Sequence, residues 1–146
     1  MTAKDLARYR LVKVARVRIE DRRFIIDIVD SKTAELEECI YAFSVGGKVV
    51  RIGSSKARLK DRLKDYERHI TRALKGERSP APAQEARKWS EILPDGRSGD
   101  IYARQGTMVK TPLGRFRVYM DEESLLIGKL FSEGSHDHVL NRCKYR

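Results

Sequence analysis

Glu123 has a residue type and a spacing that could do chemistry. Three, four and seven positions on stand Leu126, Ile127 and Leu130, so in a helix Glu123 shares the apolar face. An ionised carboxylate on such a face is costly to bury unless an arginine, a hydrogen-bond donor or a cation accompanies it. An oxygen-preferring ion such as Mg²⁺ or Mn²⁺ needs few protein ligands and completes its shell with water and substrate phosphate. The plainer alternative is a helix-start glutamate near the dipole or a nearby arginine, and Glu122, which faces Leu125 and Lys129, fits that role better. A second group, Arg58, Arg62, Tyr66 and His69, recurs at helical spacing. Arginine's planar fork clamps phosphate, and tyrosine or histidine can donate to it or relay protons. Equally, these four are one basic flank of an amphipathic helix with Tyr66 in the core. Tyr41, in an apolar run, is ambiguous between packing and catalysis.

Charge narrows the partner. The chain has 146 residues and a net charge of +10, and residues 48–76 carry ten basic against three acidic side chains. Lys56 and Lys60 belong to this segment with Arg58 and His69. A concentrated basic field favours a polyanion, and nucleic acid is the commonest one; a solvated Lys/Arg-rich helix is the alternative. With 40% hydrophobic and 36% charged residues the composition fits one globular domain and no membrane partner. The N-terminus, MTAKDLARYR, lacks an apolar signal region, which points to a cytoplasmic location. Two cysteines, Cys39 and Cys143, are too few for a disulfide framework.

The elements that must position these residues are mixed. Residues 3–14 read as a short amphipathic helix through Leu6, Tyr9 and Val12 or Lys13. RRFIIDIV, residues 22–29, is helix or strand. Residues 39–53 read as a β-hairpin, with CIYAFS and VVRIG joined across Gly46-Gly47. Ser54 or Ser55 then caps a long helix striped by Leu59, Leu63, Tyr66, Ile70 and Leu74, ended by Gly76. SPAPA, residues 79–83, is a linker before a helix over 84–93 anchored by Trp89. PDGRSGD, residues 94–100, is a turn, and two strand-like pieces flank Thr111–Gly114. Asp121 caps a last helix. The order strand, strand, helix, helix, strand, helix predicts an α+β fold.

The run CIYAFSVGGKVVRIGSSKARLKDRLKDY, residues 39–66, resembles the signature of the GIY-YIG nuclease superfamily, with Cys39-Ile40-Tyr41 and Arg51-Ile52-Gly53 as the two tripeptides. EESLLIGKLF resembles its E-x-x-L-I helix through Glu123, Leu126 and Ile127, and Asn141 resembles its downstream Asn. The resemblance implies a small α+β domain whose antiparallel central sheet begins with the hairpin and is flanked by helices. It implies that residues 39–141 form the catalytic module and that residues 1–38 are an extension packing on or flanking it. By resemblance Tyr41 helps activate the attacking water, Arg62 binds the scissile phosphate, with Arg58 as a second candidate, and Tyr66 is the accessory position. Glu123 is then the sole protein ligand of a divalent metal, Mg²⁺ or Mn²⁺, and Asn141 a nucleic-acid contact. Arg51 stands where the family has Tyr and is similar to a branch with a basic residue there; it either stabilises phosphate or marks a lost site.

The expectation is a metal-dependent endonuclease acting on nucleic acid, most readily double-stranded DNA. A non-catalytic nucleic-acid-binding module on the same fold is the alternative. Gly46-Gly47-Lys48 lacks phosphate-loop spacing. His136, His138 and Cys143 with Cys39 lack a standard zinc spacing.

Overall fold

A computed structural model describes residues 1–134 and 138–141; His136 and Cys143 lie outside the described residues. Thr2 and Asp5 form a reciprocal capping box at the head of α1 (Ala3–Arg8), and Arg10, at φ 68°, leaves helical geometry just beyond it. The helix expected over 3–14 therefore stops early, and β1 is Val12–Glu20. A register shift between Lys13 and Ala15 puts Val14 and Ala15 side by side in the core, which hides the period-two pattern of a strand. Asp21 and Arg22, both at positive φ, form a two-residue turn into β2 (Arg23–Ile28), so RRFIIDIV is a strand.

A short helix α2 (Ser31–Ala34), capped by Asp30, leads to β3 (Cys39–Val45) and β4 (Lys48–Ser55), the expected hairpin. Ser54 and Ser55 lie inside β4 rather than capping a helix, and α3 (Leu59–Leu74) starts after Arg58 with no side-chain cap. Next come α4 (Ala83–Ile92), β5 (Ser98–Gln105), β6 (Met108–Thr111), β7 (Gly114–Arg117) and α5 (Tyr119–Ser132), with Asp121 in the first turn of α5 rather than at its cap. The stretch expected to be a turn to residue 100 becomes strand at Ser98. The two pieces around Thr111–Gly114 pair only with each other, as a separate two-stranded sheet.

The main sheet is antiparallel throughout, in the order β2-β1-β5-β3-β4, and helices flank both faces. Thus β1 and β2 belong to the same sheet as the hairpin, and β5 is its middle strand. Tyr41 and Phe43 point to one face, where they join Leu63, Ile70 and Trp89 from α3 and α4. Ile40 and Ala42 point to the other, against Leu6, Leu126, Ile127 and Leu130 from α1 and α5. Every residue of β3 is buried, because both its faces are covered. Burying each such aliphatic side chain stabilises the fold by about 1.5–3 kcal/mol before chain entropy is counted. Trp89 meets Phe24 and Phe43 edge-on at 5.0 and 5.2 Å, so it is a packing anchor.

Both free edges of the sheet are covered by the chain itself. On β2 the Phe24 and Ile26 amides donate to Thr71 Oγ1 and Glu67 Oε2 of α3. On β4 the Leu140 amide donates to the Val50 carbonyl, and the Val49 amide donates to the Met1 carbonyl. Among the described residues no helix is long and apolar enough to cross a membrane.

Candidate active site

Tyr41 and Gly53 are partners across the β3–β4 ladder. The Tyr41 ring lies so close over position 53 that a Cβ there would collide with its Cζ and hydroxyl oxygen, so the close approach requires glycine. From α3, the Tyr66 hydroxyl meets the Tyr41 hydroxyl at 2.9 Å, and Arg62 Nε donates to Tyr41 at 3.3 Å. From β4, Arg51 Nε donates to the Tyr66 hydroxyl at 3.3 Å, while its Nη1 pairs with Glu85 Oε1 of α4 at 3.1 Å. The Arg62 and Arg51 guanidinium carbons lie 5.6 and 5.9 Å from the Tyr66 ring centroid, within cation–π range. Two cations and two phenols therefore form one connected chain.

Burial decides how that chain is wired. Tyr41 is 0% exposed, whereas Tyr66 is 8% exposed and lines an open cavity of about 360 Å³ with Arg51, Arg62, His69 and Glu85. A phenol carries one proton and two acceptor positions. If Tyr66 donated to Tyr41, the Tyr41 proton would be left buried without an acceptor. Donation from Tyr41 to Tyr66 satisfies both groups and leaves the Tyr66 proton aimed at the cavity. Burial, with Tyr66 adjacent, pushes the Tyr41 hydroxyl well above the usual tyrosine range, which keeps it protonated as this arrangement requires.

The other residues singled out in the sequence are placed elsewhere. Arg58 pairs with Asp61 at 3.1 Å and Glu35 at 3.5 Å, and Lys60 pairs with Glu35 at 2.6 Å. Of the two candidate arginines it is thus Arg62 that reaches Tyr41. Lys56 is exposed beyond β4. Asn141 lines an adjoining cavity of about 540 Å³, but both ends of its amide are used on the edge of β4: Oδ1 accepts from the Ile52 amide at 2.7 Å and Nδ2 donates to the Ile52 carbonyl at 2.9 Å.

On α5 the two adjacent glutamates divide. Glu122 accepts from Arg104 Nη2 at 2.6 Å, the Thr107 amide at 2.7 Å and Thr107 Oγ1 at 2.9 Å, which fastens the head of α5 to the end of β5. Glu123 begins the stripe continued by Leu126, Ile127 and Leu130, yet it is partly exposed rather than buried and has no hydrogen bond or ion pair among the described residues. Its helix packs on the sheet face opposite Tyr41. Cys39, at the head of β3, is fully buried, and burial pushes its thiol up to about 11.

Glu85 is the site residue that the sequence analysis missed. It lies four positions before the buried Trp89, so it is a carboxylate on an apolar helix face, the same signal that singled out Glu123. Its ion pair with Arg51 stands between the two cavities and contributes to the walls of both.

Among solved structures, the chain is similar to a mutant of EndoII of bacteriophage T4, with a TM-score of 0.58 at 22% identity over 90% of this chain and 96% of that one. It is similar also to the restriction endonuclease HPY188I in complex with product DNA, with a TM-score of 0.55 at 14% identity over 90% of this chain and 80% of that one. No protein-family model and no curated protein matches the chain. The small α+β fold, with its five-stranded antiparallel sheet between helices, is therefore one that solved nucleases share.

Proposed function

We propose that the protein is a divalent-metal-dependent endonuclease of the GIY-YIG type that hydrolyses phosphodiester bonds in double-stranded DNA. The observation that carries this is the chain Arg62–Tyr41–Tyr66–Arg51 opening on one cavity, in a fold shared with two nucleases. Arg51 and Arg62, which line the cavity with Tyr66, would bind a phosphate entering there and offset the charge that builds on its oxygens. Tyr66 is the hydroxyl that can exchange a proton with the attacking water, and Tyr41 acts through it. In the reaction the water oxygen bonds to phosphorus, one P–O bond to a sugar breaks, and the leaving alkoxide takes up a proton. Glu123, with its carboxylate free of protein partners among the described residues, suits a hard divalent cation that prefers oxygen, so it would hold Mg²⁺ or Mn²⁺. When bound, such an ion polarises the phosphate and stabilises the leaving oxygen.

A second function, as a binding module without catalysis, is favoured by the Arg51–Glu85 pair, which neutralises one of the cavity's cations. Incubation with supercoiled plasmid in Mg²⁺ or Mn²⁺ separates the two. Nicking that EDTA stops and Glu123→Gln abolishes, with DNA binding retained, supports the nuclease. Cleavage that persists in Glu123→Gln removes Glu123 from the metal site. Salt-sensitive binding of DNA with no cleavage in either metal supports the binding module.

A further inference from the structure

The β6–β7 hairpin contributes to neither core cluster and belongs to neither cavity beside the tyrosines. Its tip carries Leu113, which is 102% exposed, next to the exposed Pro112; Met108 and Phe116 are also exposed. Apolar side chains placed this far into solvent are unfavourable unless something covers them. In the hairpin register Lys110 lies directly opposite Arg115, on one face. Like charges opposite one another destabilise a strand pair, and neither side chain has an ion pair or hydrogen bond among the described residues. Between Gly106 and Met120 the sequence holds Lys110, Arg115 and Arg117 and no acidic residue.

A partner that offsets these costs must carry phosphates for the cation pair and an apolar cleft for the tip. Duplex DNA offers both, because apolar wedges enter between base steps from the minor groove while flanking cations hold the backbone. A tip without hydrogen-bonding side chains suits wedging rather than the reading of base edges.

We infer that the β6–β7 hairpin is a DNA-binding wing: Lys110 and Arg115 straddle backbone phosphate, and Pro112 and Leu113 wedge into the minor groove and bend the duplex. The wing is held firmly at its base, where Arg117 Nη1 donates to the Gly106 carbonyl at 2.9 Å and the Val118 amide donates to the Thr107 carbonyl at 3.0 Å. Glu122 accepts from the Thr107 amide and hydroxyl in turn, which ties the base of the hairpin to the first turn of α5, where Glu123 follows. A duplex seated on the wing is thereby placed relative to Glu123. This inference rests on the nuclease function proposed above and adds the surface that seats the substrate.

The test uses the full chain in EDTA with an end-labelled duplex of about 30 base pairs, long enough to bend measurably. Anisotropy over a salt series reads affinity, and energy transfer between the duplex ends reads bending. Lys110→Ala with Arg115→Ala should weaken binding about tenfold or more and lower the salt slope by about two, one for each phosphate no longer neutralised. Leu113→Ala should keep the salt slope and lose the bend. Unchanged affinity and slope in the double variant, or an unchanged bend in Leu113→Ala, overturns the wing. If the unsubstituted protein fails to bind DNA at any salt, the proposed function falls with it. If that protein binds and nicks plasmid while the hairpin variants match it throughout, only the wing falls. The substituted residues are exposed, so an unchanged melting temperature in each variant excludes unfolding as the cause.

Discussion

At the residue scale, position 53 decides whether the hydroxyl chain exists. Gly53→Ala puts a methyl group where the Tyr41 ring lies, and Tyr41 has no exposed direction in which to retreat. We expect a loss of about 1–3 kcal/mol in stability, as for other overpacked cores, together with loss of nicking. Thermal melts and the plasmid assay check this, and full activity in Gly53→Ala would show that the ring tolerates displacement. Arg62 and Arg58 offer a matched pair one helical turn apart. Arg62→Ala removes the donor to Tyr41, whereas Arg58→Ala removes only exposed pairs with Asp61 and Glu35, each worth about 0.2–1 kcal/mol. Nicking should therefore fall by at least a hundredfold in the first and change little in the second.

At the element scale, Glu122 determines how α5 attaches to β5. Burial alone would raise its carboxyl, but hydrogen bonds from Arg104 and Thr107 more than offset this and hold it below the usual value. A depressed folded value means that the contribution is present above the ordinary carboxylate range and is lost as pH falls through the lower, folded value. Glu122→Gln should therefore melt below the unsubstituted protein near neutral pH, by about 0.5–1 kcal/mol given its partial exposure, and the gap should close as pH falls below the ordinary carboxylate range. A gap that persists at low pH would mean that shape rather than charge secures α5. The same anchor carries Glu123, so Glu122→Gln should slow nicking even though the Glu122 carboxylate itself bonds only to Arg104 and Thr107.

At the scale of the whole molecule, the sheet is finished by segments far away in the chain. Asn141→Ala deletes two hydrogen bonds to Ile52 and leaves backbone groups of β4 without partners. The expected cost is about 1–3 kcal/mol. The uncovered edge should also make the variant self-associate at high concentration, which light scattering reads directly. Stability unchanged and a monodisperse sample would remove Asn141 from the edge. The concentration of positive charge over residues 48–76 acts at this scale too: α3 holds five of its ten basic side chains with all three acidic ones, and Arg51 from β4 joins Arg62 and His69 at the cavity.

What the sequence by itself determined is local. The β3–β4 hairpin shows as an apolar run broken at Gly46-Gly47 because both of its faces are buried, and α3 shows through the stripe from Leu59 to Leu74 because one side meets the sheet. Period and turn chemistry are properties of neighbouring residues and can be read along the chain. The placement of β5 could not be, since Gly99 and Ala103 are small, Asp100 and Arg104 are polar, and only the strands on either side turn that segment into the middle of a sheet. Tertiary structure alone set Glu85 against Arg51, turned the Asn141 amide onto Ile52 and gave Glu122 its partners Arg104 and Thr107. Each of these depends on which distant group lies within about 3 Å of a side chain, a matter of long-range register that no spacing along one chain encodes.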